Sequence, residues 1–192
     1  RHNMKKLVCA IAALVIALSP LGAEAGKRIK IATLAPDGTT WMKLMKEMGK
    51  EVKAKTGGEV TLKFYSGGVM GDEGDVIRKM RFGQVHGGGF TGRGLGEINP
   101  EERVLELPRL FENHAEVDCV MKKLTPRLSA GFEKKGFVLL GWAEAGFVYV
   151  FTNKPIKTAQ DIKGVKMWMW EGDPLAKALF DANGIVPVPL DL

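Results

Sequence analysis

Asp161-Ile-Lys-Gly-Val-Lys-Met-Trp-Met-Trp170 is the stretch that decides the fold. Thr158-x-x-Asp161 opens a short helical turn, and residues 165–170 read as a strand. Alternation puts Trp168 and Trp170 on one face of that strand and Met167 and Met169 on the other. Asp173-Pro174 then starts a helix that ends at Asn183-Gly184, and residues 185–188 form a last strand. Strand, helix, strand in this order is the unit of a parallel sheet.

The same alternation runs back to the start of the chain. Residues 27–34 alternate as a first strand, with Ala35-Pro-Asp-Gly38 as its exit turn. Thr39 or Thr40 caps a helix whose stripe is Trp41, Leu44, Met45, Met48 and Val52, expected to face the core. Residues 59–65 are a second strand. Asp72 caps a second helix with Val76, Ile77 and Met80 inward, and Gly83 closes it. A short strand at 84–90 leads into a loop of glycines from Gly87 to Gly96. Asn99-Pro100-Glu101-Glu102 starts a helix, and so does Asn113-x-x-Glu116, which is expected to kink near Pro126. Residues 137–142 and 147–152 are rich in β-branched and aromatic side chains and read as two strands.

The N-terminus reads as an address label. Lys5 and Lys6 precede an apolar run from Leu7 to Leu18, and Ala23-Glu24-Ala25 follows. That pattern predicts a Sec signal peptide over residues 1–25, with leading extra residues and a cut after Ala25. The apolar run is too short for a bilayer that needs ~20 residues. The abrupt end after the last strand, with no helix to cover it, suggests a truncated product.

Charge excludes little. The net charge is +6; without Arg1, Lys5, Lys6 and Glu24 it is 25 basic against 21 acidic residues, or +4. Lysines 43, 46, 50, 53 and 55 lie beside Glu47 and Glu51, a solvated helix face and not a nucleic-acid patch. One cysteine, Cys119, remains beyond the signal region, and one cannot form an internal disulfide. His86 and His114 are isolated, so no metal-ligand spacing is present and no cofactor is expected. Gly87-Gly-Gly-Phe-Thr-Gly92 matches G-x-G-x-x-G, but it follows a later strand and runs into more glycine. His86-Gly-Gly-Gly89 resembles an esterase oxyanion segment, yet the chain has no G-x-S-x-G nucleophile. No catalytic pair of acids is visible, and an enzyme is not expected. The glycines read best as a place where a ligand approaches the backbone at the carboxyl end of a strand.

These motifs together resemble the DctP-type substrate-binding proteins of TRAP transporters. Tyr65-Ser-Gly-Gly-Val-Met-Gly-Asp-Glu73 is similar to a characteristic stretch of that family. So are Lys135-Gly-Phe-Val-Leu-Leu-Gly-Trp142, Phe151-Thr-Asn153 and Thr158-x-x-Asp161-Ile-Lys-Gly-Val-Lys166. The resemblance implies an α/β, type II-like periplasmic binding protein of two lobes, with mostly parallel sheets and hinge strands. Residues 26–145 are then lobe I, and 146–192 a hinge strand with an incomplete lobe II. It implies a periplasmic receptor that takes a small-molecule solute into the interlobe cleft and passes it to TRAP membrane permease subunits.

One departure matters. The family usually places an Arg in the strand after Asp161-Ile-Lys-Gly-x-Lys166 to clamp a substrate carboxylate, and here that position is Trp168. An Arg fork grips carboxylate in a way other side chains do not copy. The ligand is therefore expected to be more apolar or aromatic than usual, since aromatic walls bind flat, apolar or cationic groups. The candidate wall is Trp142, Phe147, Trp168 and Trp170, with Asp37, Glu73, Thr91, Arg93 and Glu144 as polar contacts. Arg93 or Arg109 is a candidate to replace the missing clamp. Two other readings stand beside this one: a truncated lobe acting as a protein-interaction module, and an ABC-type solute receptor.

Overall fold

The computed structural model describes residues 26–190, so the expected signal peptide lies outside the described residues. Two parallel sheets organise the described residues. In the first, strand β1 (Lys27–Thr33) lies between β2 (Val60–Tyr65) and β3 (Gly87–Gly89). The register pairs Lys27 with Val60, Ala32 with Tyr65, and Ile31 with Gly87.

Helix α1 (Thr40–Lys55) joins β1 to β2, capped by the Thr39 hydroxyl oxygen, which accepts from the Met42 N–H at 3.4 Å. Its packed face differs from the expected stripe. Met42 is buried, whereas Trp41, Leu44 and Met48 are 44%, 59% and 44% exposed. Gly49 explains the rotation: a Cβ there would lie 3.2 Å from the Phe64 ring and 3.7 Å from Leu62, so the helix rests on β2 through its glycine. The close approach of backbone to Phe64 outweighs the larger side chains at 41, 44 and 48.

Helix α2 (Glu73–Arg81) follows β2, with the Asp72 carboxylate accepting from the Asp75 N–H at 2.6 Å. Val76 and Ile77 are buried as the periodicity predicts, Val76 with Ala32 of β1 and Val85, Ile77 with Ile98, Leu128 and Phe132, and Gly83 adopts φ 69° past the helix end. The glycine segment is not a loop. Gly87–Gly89 are β3 itself, and Gly92–Ile98 form helix α3. Glycine is a poor helix former, so tertiary packing must hold α3, and its neighbours show how. A Cβ on Gly92 would collide with the Glu106 carboxylate, and one on Gly96 with the Arg103 stem. On Gly94 it would come within 2.8 Å of the Glu73 carboxyl carbon.

The Asn99-Pro100 start leads into a 3₁₀ helix, Pro100–Glu106, and Asn99 does not cap it. The Asn99 amide is buried and donates instead to the Leu128 carbonyl at 3.4 Å. Helix α4 (His114–Glu133) starts where expected: the Asn113 side chain accepts from the Glu116 N–H at 3.1 Å, and the Glu116 carboxylate reaches back to accept from the Glu112 N–H at 2.9 Å. It is helical throughout, Pro126 included. Leu128 and Phe132 form a core with Ile77 and Ile98, sealed by Phe90, Leu124, Phe137 and Leu139.

Residues 137–142 and 147–152 are not strands. Phe137 and Leu139 pack inward while Val138 and Leu140 point out, so the period of two is present without a ladder. Residues 147–151 are all exposed, Val148 and Phe151 by 95% and 90%. A β-branched run needs a partner strand to become one, and among the described residues none pairs with it.

The second sheet pairs β4 (Lys166–Met169) with β5 (Val186–Pro189) in parallel, with helix α5 (Pro174–Asn183) between them. The Asp161 carboxylate gathers the N–H groups of Lys157 and Thr158 and the Thr158 hydroxyl at 2.8–3.0 Å, closing the turn before β4. Asp173 caps α5 by accepting from the N–H groups of Leu175 (2.9 Å) and Ala176 (3.3 Å). Gly184 ends it in the left-handed region at φ 65°. Met167, Met169, Phe180 and Ile185 make a separate small core.

Candidate functional site

The carboxyl end of a parallel strand is where an open α/β sheet presents its ligand-facing loops. At the end of β3 the chain brings Glu73, Thr91 and Arg93 together. Glu73 is 2% exposed. Its carboxylate accepts from the Thr91 N–H, from the Thr91 hydroxyl at 2.7 Å and from the Gly94 N–H at 3.0 Å. Thr91 occupies the cap position of α3 but makes no cap bond of its own, so Glu73 does that work from another helix. Burial pushes the Glu73 carboxyl up, opposed by the Thr91 bonds, the Arg93 charge and the Gly94 N–H. With both oxygens taken inside the protein, Glu73 is a strut for α3, whereas the sequence suggested a polar contact to ligand.

Arg93 points the other way. Its Nε donates to the Glu171 carbonyl at 3.2 Å, which brings the carboxyl end of β3 to the residue that follows Trp170. On β4, Met169 is buried and Trp168 is 47% exposed. The tryptophans are therefore on the face away from the small core, packed edge to face with ring centres 4.9 Å apart. The Trp168 indole N–H donates to the Leu190 carbonyl at 3.2 Å, which fixes the ring over the end of β5.

The remaining candidates sit elsewhere. Trp142 belongs to the core around Phe132 (ring centres 6.4 Å apart), and its indole N–H donates to the Thr125 hydroxyl oxygen at 3.0 Å. It anchors residues 137–142 to α4 and stands apart from the Trp168 wall. Glu144 pairs with His114 at 2.6 Å, and Phe147 packs edge to face on the same imidazole at 5.2 Å. Asp37 is in the exposed turn after β1, 2.5 Å from the Lys46 ammonium, and that hydrogen bond, then the Gly38 N–H, hold its carboxyl below the ordinary range. Arg109 lies in the exposed segment before α4, in the left-handed region at φ 62°.

Sequence reasoning missed a second charged cluster. Arg103, on the 3₁₀ helix, reaches both oxygens of Asp173 at 2.8 and 3.0 Å and Glu106 at 2.7 Å. Glu102 beside it is buried, and its Oε2 has no hydrogen-bond partner among the described residues. Burial, with Glu106 next, pushes its carboxyl up to about 7 against the opposing charge of Arg103. The one local signal was the Arg103-x-x-Glu106 spacing on a helix. Asp173 showed only as a helix cap. Among the described residues no set of His, Cys, Asp or Glu is placed to hold a metal ion. No described helix is long and apolar enough to cross a membrane.

Comparison with known proteins agrees with this architecture. The family model DctP, bacterial extracellular solute-binding protein family 7, matches residues 31–192. A solute-binding protein of Verminephrobacter eiseniae is 31% identical over 144 residues, which span 73% of this chain and 42% of the relative. A TRAP periplasmic solute-binding protein from a Sulfitobacter species, with bound β-D-galacturonate, superposes with a TM-score of 0.78 at 27% identity. The match covers 85% of this chain and 55% of that one. One from Roseobacter denitrificans, with bound β-D-glucuronate, gives the same TM-score, identity and coverage. The chain thus spans about half the length of the relatives it matches. It belongs to the DctP family of bacterial extracellular solute-binding proteins.

Proposed function

We propose that the protein is a periplasmic receptor that captures a small organic solute between its two sheets and delivers it to a TRAP-type membrane permease. Residues 26–145 serve as the first lobe, and 146–192 as a hinge segment with part of the second. The observation that carries this reading is the Arg93–Glu171 contact, which joins the carboxyl ends of β3 and β4 beside the open Trp168–Trp170 face. The family match and the uronates bound by the structural neighbours support a solute of that size.

Recognition differs from an Arg–carboxylate clamp on β4, because that strand is Lys166-Met-Trp-Met169. Trp168 and Trp170 offer an aromatic surface for the apolar face of a ring, and Arg93, bonded to the Glu171 carbonyl just after Trp170, is the candidate for a polar contact. The test is direct. Hits are taken from a thermal-shift screen of small organic acids and aromatic compounds, and binding is measured by calorimetry for the protein and for Trp168→Ala. The variant is expected to lose binding with an unchanged far-UV CD spectrum. Retained affinity would remove Trp168 from the site.

A further inference from the structure

We propose that Arg103 and Asp173 form an interlobe latch, a positioning pair that holds the sheet carrying Trp168 and Trp170 against the first sheet. This rests on the receptor reading, since a latch matters only if the two sheets close on something. The partners are 70 residues apart in sequence, one on the 3₁₀ helix after α3 and the other at the start of α5. One guanidinium nitrogen of Arg103, Nη2, reaches both Asp173 oxygens, and the side chains are only 16% and 7% exposed. Water screens such a pair weakly, and losing one partner strands the other charge in a dry site.

The surroundings are shaped for it. The Arg103 stem lies across α3 at Gly96, where any Cβ would displace it. Glu106 takes the other arm of the guanidinium at 2.7 Å. Arg93 makes a parallel strut to Glu171, two residues before Asp173. Two arginines from the glycine-rich face of the first unit thus grip one turn of the second, 171–173, immediately after the tryptophan strand. Asp173 has two jobs there: it caps α5 and receives Arg103. That double use allows the jobs to be separated, because Asn caps a helix as well as Asp but presents no charge to Arg103.

The experiment measures the distance between the two units without any solute. Spin labels are placed at exposed Lys53→Cys on α1 and Ala178→Cys on α5, in a Cys119→Ser background, and read by pulsed electron resonance. Asp173→Asn and Arg103→Gln are each expected to shift the distribution to longer distances. The double variant should shift it no further. Gly96→Ala, which leaves both charged groups and the α5 cap in place, should give the same shift. It decides the matter if either single variant fails to fold. An unchanged distribution in Gly96→Ala and in a folded Asp173→Asn overturns the latch and leaves the receptor reading standing. A shifted distribution in a protein that binds no solute keeps the latch and counts against the receptor reading instead.

Discussion

Replacing Glu102 by Gln changes stability in a way that depends on pH. Glu102 is 4% exposed, and its carboxyl is raised from an ordinary 4.5 to about 7, by burial first and then by the charges of Glu106 and Glu73. The folded chain therefore holds this proton more tightly than the unfolded chain does. The associated stability is fully present below 4.5 and is lost as pH rises through about 7. Each pH unit between the two values is worth ~1.4 kcal/mol, so roughly 2–3 kcal/mol disappears between about pH 5 and about pH 8.5. Gln carries no titration, and whatever its amide costs is the same at both pH values. Urea unfolding followed by tryptophan fluorescence at the two pH values measures this. The variant should gain roughly 2–3 kcal/mol on the wild type in going from the acid to the alkaline condition. An identical difference at both pH values would refute the argument, because it would mean that Glu102 titrates alike folded and unfolded.

Three smaller predictions follow from single contacts. Gly94→Ala drives a Cβ to within 2.8 Å of the Glu73 carboxyl and 2.9 Å of the Phe90 ring, and should cost about 1–3 kcal/mol in urea melts. Trp142→Phe keeps the ring in the core but removes the donor to Thr125; a loss of about 1 kcal/mol is expected in the same assay. The Asp161 carboxyl is held down by the Lys157 and Thr158 N–H groups and the Thr158 hydroxyl, so its contribution is present above 3.8 and fades as pH falls through its lowered value. Asp161→Asn should accordingly lower stability near neutrality and flatten the acid limb of the profile, with variant and wild type converging at acid pH in urea melts.

What the sequence disclosed was mostly local. Asp72, Asn113 and Asp173 act as helix caps where the pattern puts them, because a cap involves residues two or three apart. Met167 and Met169 face the small core and the tryptophans do not, because strand alternation is a property of the backbone. The errors came from partners far along the chain. Glycines 92, 94 and 96 form a helix because Glu106, Glu73 and Arg103 lie against its bare backbone, and no window around the glycines contains all three. Gly49 turned α1 by meeting Phe64 on the neighbouring strand. Residues 147–151 have strand-forming side chains, but a strand is made by its partner, and propensity alone cannot supply one. The same distance dependence hid the Arg103–Asp173 pair. Each residue had a sufficient local explanation, one on a helix and the other as a cap.

The receptor account is tested most directly by native mass spectrometry of the protein released gently from a periplasm. The account predicts a bound small mass that disappears on denaturation, with a formula containing a ring able to lie on Trp168 and Trp170. A bare protein mass that stays bare after incubation with the thermal-shift library would contradict it.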